Sequence, residues 1–299
     1  MIEETFLRSL IEQPNEIGNL YFSKISLILH EAENIFDREN LLLEINTLDL
    51  NEEIYIIGDI HGNLQSLLKI NELIKGRNPK YVIFLGDIVD RGPNQLECLV
   101  FILCLKILEP DRYYLLRGNH ETVEMNNVYG FTYVFLDKFQ DSDKFTEILN
   151  VYDALPICAR INNKILCVHG GIPANIEAIN EIKGLKLEDI NESTKLSIYQ
   201  MMWNDPKEEI NGFIQSFRGT GIFFFGEDVF NSFLEENNLE YIIRAHECFL
   251  EGYKWFFNKH LLSIFSSENY RGADFDSPAS YAIIKNNKIL LKIINASKK

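Results

Sequence analysis

Five short apolar runs of this sequence each end in a loop that carries aspartate, asparagine or histidine. The residues at these positions are Asp59 and His61, Asp87, Asn119 and His120, His169, and His246. Their side chains offer carboxylate, amide and imidazole ligands and no thiolate, which argues against a closed structural zinc site. A mixed oxygen and nitrogen set of this kind suits Mn²⁺, iron or a catalytic Zn²⁺ better.

A shell of two carboxylates, one amide oxygen and three imidazoles is too large for one open catalytic metal and fits two metals if Asp87 bridges them. Two divalent cations with two carboxylates and a bridging hydroxide leave a charge of about +1, which attracts an oxyanion. Asn119 contributes to this balance because a neutral ligand keeps the site positive. Two metals about 3.5–4 Å apart activate a water and stabilise in-line displacement at phosphorus. The residues therefore indicate phosphoryl transfer.

Phosphoryl transfer also needs groups around the phosphate oxygens and at the leaving group. Arg91 directly follows Asp90, and Arg218 lies in a polar stretch before a glycine. A guanidinium offers paired donors that match phosphate oxygens. His120 adjoins Asn119, and a carboxylate such as Asp90 beside it would favour the imidazolium that protonates a leaving alkoxide.

The apolar runs themselves predict buried strands. They lie at residues 54–57, 81–85, 113–116, 165–168 and 241–243. In the first half of the chain, strand, polar loop and helix alternate, which is typical of an α/β protein. Ligands in open α/β sheets gather beyond the carboxyl ends of strands. We therefore expect these loops to converge on one site.

Helices and tight turns are predicted by shorter signals. Asn63 is a helix cap before a run with helical apolar spacing, and residues 96–108 continue the pattern. The first 50 or so residues also follow a helical period. Asparagine pairs at 162–163 and 286–287 indicate hairpin turns, because asparagine tolerates positive φ.

The composition limits the class of protein. The chain has 299 residues, 46% of them hydrophobic, and a net charge of −15. This acidity argues against a nucleic-acid binder and against a protein of anionic membrane surfaces. The five cysteines show no C-x-x-C spacing, and no apolar leader follows the acidic start. We expect a reduced cytoplasmic protein with no disulfide framework.

The loops resemble the motif set of the phosphoprotein phosphatases, the metallophosphatase family of serine/threonine protein phosphatases type 1, type 2A and calcineurin. The resemblance extends from about residue 45 to about residue 295. Its motifs, in family order, are Gly58-Asp-Ile-His-Gly62, Gly86-Asp-Ile-Val-Asp-Arg-Gly92, Leu115-Leu-Arg-Gly-Asn-His-Glu121, Val128-Tyr-Gly-Phe131, His169-Gly-Gly171, Trp203-Asn-Asp-Pro206, Phe225-Gly226 and Arg244-Ala-His246.

The resemblance implies a role for each matching residue. It implies that Asp59, His61 and Asp87 hold one metal. It assigns the second metal to Asp87, Asn119, His169 and His246. Arg91, Asn119, His120 and Arg218 are expected to face the phosphate, with Asp90 paired to His120. Tyr270 falls where the family has a tyrosine lining the site.

The implied fold is the calcineurin-like metallophosphoesterase fold, an α/β architecture with a central β-sandwich flanked by helices. Residues 1–50 are expected to form an acidic helical N-terminal extension and residues 51–299 the catalytic domain. Residues 1–53 carry 12 acidic and 3 basic residues, a net charge of −9. The extension is thus a candidate face for a regulatory subunit or another basic partner.

Two departures from the family pattern affect substrate and inhibitor binding. The loop that usually reads Ser-Ala-Pro-Asn-Tyr-Cys-Gly is Ser-Ser-Glu-Asn-Tyr-Arg-Gly at 266–272. Glu268 and Arg271 are therefore new, and Arg271 replaces the cysteine that reacts with microcystin-type toxins in family members. Phe217 precedes Arg218 where the family usually has aspartate or proline.

The function expected from the resemblance is hydrolysis of phosphoserine and phosphothreonine in proteins. A hydroxide bridging two metal ions, Mn or alternatively Fe or Zn, would attack phosphorus directly. The alternatives keep the fold and change the substrate, to diadenosine tetraphosphate or to a broad range of phosphomonoesters. Diadenosine tetraphosphatases usually carry aspartate where this chain has Glu121. A non-catalytic phosphopeptide-binding scaffold is disfavoured because all six ligands are present.

Overall fold

The computed structural model describes residues 2–175, 177–270, 272 and 277–294. Its centre is a sandwich of two mixed sheets. The six-stranded sheet has the order β1-β5-β6-β10-β12-β11, and the five-stranded sheet has the order β14-β13-β2-β3-β4. A small third sheet has the order β7-β9-β8. In the sequence, its three strands lie between β6 and β10.

The strands are short, as the apolar runs of the sequence predict. Their bounds are β1 Leu42–Ile45, β2 Ile54–Ile57, β3 Tyr81–Phe84, β4 Tyr113–Leu115, β5 Cys158–Ile161, β6 Ile165–Val168, β7 Asp205–Pro206, β8 Phe213–Gln215, β9 Phe223–Phe225, β10 Tyr241–Arg244, β11 Tyr253–Phe256, β12 Leu261–Ile264, β13 Ala279–Lys285 and β14 Lys288–Ile294.

Helices cover the outer faces of both sheets. Their bounds are α1 Glu4–Glu12, α2 Phe22–Phe36, α3 Leu64–Arg77, α4 Gln95–Leu108, α5 Val123–Tyr129, α6 Phe131–Phe139, α7 Thr146–Ala154, α8 Ala178–Glu181, α9 Glu192–Trp203 and α10 Glu227–Glu236. Single 3₁₀ turns occur at Pro14–Asn19, Asp143–Phe145, Leu187–Asp189 and Phe257–Lys259. Among the described residues, no helix combines the length and the apolar character that crossing a membrane requires.

Alternation along the strands distributes apolar side chains between the layers. In β2, Ile54 and Ile56 lie in the core between the two sheets, while Tyr55 and Ile57 lie in the core under α1, α2 and α4. A third core joins the outer face of the six-stranded sheet to α9 and α10. The central β-sandwich flanked by helices, expected from the sequence, is therefore confirmed.

Several local predictions are confirmed as well. The side chain of Asn63 accepts a hydrogen bond from the backbone nitrogen of Ser66 and begins α3. Asn162 and Asn163 have φ values of 50° and 55° and connect the antiparallel strands β5 and β6. Asn286 and Asn287, at 53° and 55°, connect β13 and β14 in the same way. Both turns have the positive φ that two-residue hairpins need.

The N-terminal segment is not helical to residue 50. Residues 42–45 form β1, which pairs in parallel with β5 at the edge of the six-stranded sheet. Helices α1 and α2 pack on α4, whose side chains are apolar around most of the helix and buried. A helix that is hydrophobic on all sides needs cover on all sides. The N-terminal helices supply that cover, so they share the core of the catalytic part.

Candidate active site

The predicted ligands lie at the carboxyl ends of neighbouring strands. Strands β2, β3 and β4 are parallel neighbours in one sheet, and β6 and β10 are parallel neighbours in the other. The loops after these strands carry Asp59 and His61, Asp87, Asn119 and His120, His169, and His246. Because the two sheets pack face to face, these loops meet at one edge of the sandwich. All of these side chains are almost fully buried, including that of His246, of which 3% is exposed.

The backbone of these loops is held in sparsely populated conformations. His61, Asp87, Asp90, Arg91 and His246 all have positive φ, between 47° and 71°. Non-glycine residues adopt this region infrequently, and clusters of them are typical of functional sites. These left-handed residues lie in the loops after β2, β3 and β10.

Two glycines allow these loops to touch. Gly86 has a φ of 102°, and a Cβ added there would lie 2.3 Å from the backbone nitrogen of Gly118. A Cβ on Gly118 would lie 2.3 Å from Oδ1 of Asp87. Any side chain at either position would separate the loop after β3 from the loop after β4 and displace Asp87.

Two groups of ligand atoms overlap at Asp87. His61, Asp87 and His120 form one group, and Asp87, His169 and His246 form the other, each with its atoms within 4.8 Å of one another. Asp59 adjoins the first group, since its Oδ2 lies 3.6 Å from Nε2 of His61. The shared carboxylate is the arrangement that a pair of bridged metal ions requires.

Backbone carbonyl groups orient two of the ligand histidines. Nδ1 of His61 donates to the carbonyl of Val89, and Nδ1 of His169 donates to the carbonyl of Leu85, both at 2.9 Å. Such bonds fix the ring and its tautomer and direct Nε2 inward, as they do for metal-binding histidines generally. Nε2 of His169 lies 3.0 Å from Oδ1 of Asn119.

Two of the predicted ligands each have a buried side-chain atom with no hydrogen-bond partner within the described residues, Oδ2 of Asp59 and Nε2 of His246. Leaving a buried polar atom unpaired costs about 1–3 kcal/mol, so these atoms need a partner that the protein does not supply. A metal ion is such a partner. The residues present therefore fit the pair of metal ions that the ligand set indicates.

Three of the ligands have pKa shifts that favour a bound cation. At a fourth, His169, burial lowers the pKa, but nearby carboxylates, chiefly that of Asp87, outweigh burial and raise the pKa to about 9. Burial, with the charge of Asp87 nearby, raises the pKa of Asp59 to about 7. Burial lowers the pKa of His61 to about 3 and that of His246 well below its ordinary value. A neutral imidazole is the form that binds a metal, and a cation would restore the charge of the Asp59 carboxylate.

His120 is oriented by Asp90. Nδ1 of His120 donates to Oδ2 of Asp90 at 2.7 Å, and its backbone nitrogen donates to Oδ1 of Asp87 at 2.9 Å. Nε2 of His120 then faces the ligand cluster, 3.9 Å from Oδ2 of Asp87. Although burial opposes it, the charges of Asp87 and Asp90 raise the pKa of His120 above its ordinary value. The ring can therefore hold a proton beside the ligand cluster.

Arg91 is stacked between two aromatic rings. Its guanidinium carbon lies 4.0 Å from the ring centre of Tyr129 and 5.6 Å from that of Tyr270. The ring of Tyr270 in turn stacks on His61 at 5.1 Å. The exposed Arg91 is thus held at the entrance to the ligand cluster, in contact with the rings, and beside it opens a cavity of about 410 Å³.

Arg218 is held by a carboxylate in the third sheet. Nε of Arg218 donates to Oδ2 of Asp205 at 2.5 Å, and Nη2 of Arg244 donates to Oδ1 of the same residue at 2.9 Å. Oδ1 of Asp205 lies 3.9 Å from Nε2 of His246, so the carboxylate that holds Arg218 borders the His246 side of the cluster. Arg91 follows β3 of the five-stranded sheet, whereas Arg218 lies between β8 and β9 of the third sheet.

Three buried residues of the site were not assigned a role from the sequence: Glu121, Asn126 and Asp205. Glu121 and Asp205 lie within the family motifs given above. For Glu121, the position of a carboxylate two residues after Asn119 was the feature from which a role in the site could have been predicted. Asn126 lies in no quoted motif. Arg271, which the sequence places beside the site, lies outside the described residues.

Comparison with known proteins agrees with this geometry. Residues 53–249 match the calcineurin-like phosphoesterase family. The chain is 40% identical over 235 residues to the serine/threonine-protein phosphatase 4 catalytic subunit of Saccharomyces cerevisiae, covering 78% of this chain and 75% of that protein. The corresponding protein of Kluyveromyces lactis is 38% identical over 238 residues, with coverages of 79% and 76%.

Solved structures show the same fold. A serine/threonine phosphatase from Saccharomyces cerevisiae with similarity to human phosphatase PP5 superposes with a TM-score of 0.84 at 26% identity, covering 100% of this chain and 98% of that one. A cold-active protein-tyrosine phosphatase from a Shewanella species has a TM-score of 0.60 at 17% identity, with coverages of 84% and 80%, and shows the fold alone.

The fold, the convergence of the strand-end loops and the similarity over more than three quarters of the chain agree with one another. The chain belongs to the calcineurin-like phosphoesterase family and, within it, to the phosphoprotein phosphatases.

Proposed function

We propose that this protein is a metal-dependent phosphatase of phosphoserine and phosphothreonine in proteins. The observation that carries the proposal is the pair of ligand groups sharing Asp87, with His120 and Asp90 paired beside them. The relatives at 38–40% identity are named serine/threonine-protein phosphatase 4 catalytic subunits, which supports phosphoproteins as the substrate class.

The residues of the chain divide the work of the reaction. Asp59, His61, Asp87, Asn119, His169 and His246 would hold two metal ions, which when bound would supply an activated water and stabilise charge on the phosphoryl group. Arg91 and Arg218 would hold the phosphate oxygens in line for attack. Asn119 would add its amide to the same oxygens, and Tyr270 would line the site.

Departure of the alcohol requires a proton, since a serine or threonine alkoxide is a poor leaving group. His120 carries that proton on Nε2, because its Nδ1 is committed to Asp90. General acid catalysis of this kind is worth about 10²–10⁴ in rate. No residue of the chain needs to become phosphorylated.

For the metals we propose Mn, with Fe or Zn as the alternatives. All three accept imidazole and carboxylate ligands, and the absence of a cysteine from the ligand groups argues against a thiolate-rich structural site. Metal analysis of the purified protein, with and without Mn²⁺ in the growth medium, would identify the resident ions.

The substrate class is tested by an activity panel. Purified protein with Mn²⁺ would be assayed on phosphoserine, phosphothreonine and phosphotyrosine peptides and on a dinucleotide polyphosphate. We expect the highest kcat/KM on the first two. Preferential hydrolysis of the dinucleotide, or of the phosphotyrosine peptide, would overturn the proposed specificity.

We further propose that a regulatory subunit or another basic partner binds the acidic face of residues 1–50. The relatives are named catalytic subunits, which supports a partner. Glu3, Glu4, Glu12 and Glu16 are exposed there. Reversing these four charges should weaken capture by the partner without changing phosphatase activity. No disulfide joins the five described cysteines, which supports the cytoplasm as the compartment.

A further inference from the structure

Asn126 contacts both members of the His120–Asp90 pair through one amide group. Its Nδ2 donates to Oδ2 of Asp90 at 3.0 Å and to the backbone carbonyl of His120 at 2.7 Å. A primary amide has two hydrogens, so both are used here. Asn126 is buried, in the middle of α5.

The two hydrogen bonds fix the position of the His120 backbone relative to the carboxylate of Asp90, which matters for proton transfer. The backbone carbonyl of His120 and the carboxylate of Asp90 both accept a hydrogen bond from Nδ2 of Asn126. The imidazole of His120 therefore has one arrangement in which its Nδ1 donates to Oδ2 of Asp90. That arrangement directs Nε2 towards the ligand cluster. Without the amide, Asp90 keeps the backbone nitrogen of Phe131 on Oδ1 at 3.0 Å but loses a fixed position for Oδ2.

We propose that Asn126 is the positioning residue of the general acid, acting through His120 and Asp90 on protonation of the leaving group. The inference rests on the proposed function only in taking His120 as the acid. Among the described contacts, Asn126 touches none of the six residues assigned as metal ligands and neither Arg91 nor Arg218. Its loss should therefore affect the protonation step selectively and spare metal binding.

Leaving groups that differ in their need for a proton test this selectivity. A nitrophenolate departs without protonation, whereas an alkoxide does not. For Asn126→Ser with Mn²⁺, we expect kcat on a phosphoserine peptide and on glycerol 2-phosphate to fall by about tenfold or more, and kcat on 4-nitrophenyl phosphate by less than about threefold. KM and bound metal should match the wild type.

The matched control is Asn127→Ser, on the same helix but exposed. It should leave all three substrates unchanged. An equal loss on all substrates in Asn126→Ser, or a loss of metal, would indicate a merely structural role and overturn the inference. In a His120→Asn background, Asn126→Ser should add no further change to the alkyl-to-aryl ratio, and an additive change would overturn it too.

Two further outcomes separate this inference from the proposed function. If Asn126→Ser does not fold, Asn126→Leu, which is close in size and adds no charge beside Asp90, removes the same donors and is expected to show the same selective loss on alkyl substrates. If the wild type hydrolyses glycerol 2-phosphate but not the phosphoserine peptide, the proposed protein specificity fails while the test of Asn126 proceeds. Wild-type activity on the aryl substrate alone would overturn both.

Discussion

Oε2 of Glu121 accepts a hydrogen bond from the backbone nitrogen of Asp87 at 2.8 Å. The same carboxylate accepts from the backbone nitrogens of Gly118 and Ile88, both at 2.9 Å. One buried side chain thereby fixes the loop after β3 to the loop after β4, and with it the residue shared by the two ligand groups. Glu121 contributes no ligand atom to those groups, yet it determines where Asp87 lies.

Replacing this carboxylate should therefore weaken metal binding. Glu121→Gln turns one acceptor oxygen into an NH₂ group that faces backbone N–H groups. We expect metal affinity to fall by about 10–100-fold, as for residues that orient ligands in other metal sites. Isothermal titration calorimetry of the metal-free protein with Mn²⁺ measures this affinity. Glu124→Gln, an exposed position on α5, is the control, and equal affinities in the two variants would contradict the prediction.

Removing the proposed acid should separate metal binding from turnover. His120→Asn is expected to retain both metal ions, because the remaining ligands and the Glu121 network are unchanged. Its kcat on a phosphoserine peptide should fall by about 10²–10⁴. Metal content and steady-state kinetics measure the two properties on one sample.

His30 provides the comparison for this variant. It lies on α2, with 55% of its side chain exposed, and His30→Asn should behave as the wild type. Turnover at the wild-type level in His120→Asn would remove His120 from the mechanism.

The carboxylate of Asp205 should control phosphate affinity. Asp205→Asn weakens the charged hydrogen bonds that hold Arg218 and Arg244. Such bonds contribute about 1.5–3 kcal/mol each, so we expect KM for phosphopeptide and Ki for inorganic phosphate to rise by about 10–100-fold. In Glu208→Gln, which removes the exposed partner of Lys254, both constants should stay unchanged. A fall in kcat with constant Ki would place Asp205 in a different role.

A buried ion pair connects α4 to the segment after α2. Nζ of Lys106 donates to Oε1 of Glu39 and, at 2.8 Å, to the carbonyl of Pro110. Only 1% of the Lys106 side chain is exposed. Removing one partner of a buried pair costs about 3–5 kcal/mol because the other charge stays buried.

Lys106→Met should therefore lower the free energy of unfolding by about 3–5 kcal/mol, and adding Glu39→Leu should recover most of the loss. Urea unfolding measures both. Lys195→Met, which breaks the exposed pair with Glu192, is expected to cost less than about 1 kcal/mol. If Lys106→Met and Lys195→Met had the same free energy of unfolding, the buried pair would contribute no more to stability than the exposed pair, and the prediction would be wrong.

The sequence was sufficient to predict what depends on neighbours along the chain. Of the fourteen strands in the described part of the chain, five, β2, β3, β4, β6 and β10, follow from local patterns, as do the Asn63 cap and the two asparagine hairpins. The polar residues of the site follow from where these five strands end. The convergence of Asp59 and His246, 187 positions apart, was expected as well, although their strands belong to different sheets and the two loops meet because those sheets pack face to face.

What could not be predicted depends on pairs that only the folded chain forms. Glu121 bonds to backbone nitrogens more than 30 positions away, and Asn126 meets Asp90 36 positions away. Neither residue type signals such a partner, since buried glutamate and asparagine serve many purposes. Strand β1 was missed for a similar reason, because it has four residues and owes its conformation to β5.

The cover that α1 and α2 provide for α4 has a consequence for synthesis of the protein. Gln95, the first residue of α4, is 59 positions after Phe36, the last residue of α2. At about 5–20 residues per second, the ribosome takes about 3–12 s to make the intervening chain. Throughout that time the apolar stripes of the first two helices have no partner, so the nascent chain offers a binding site to chaperones before it has a core of its own.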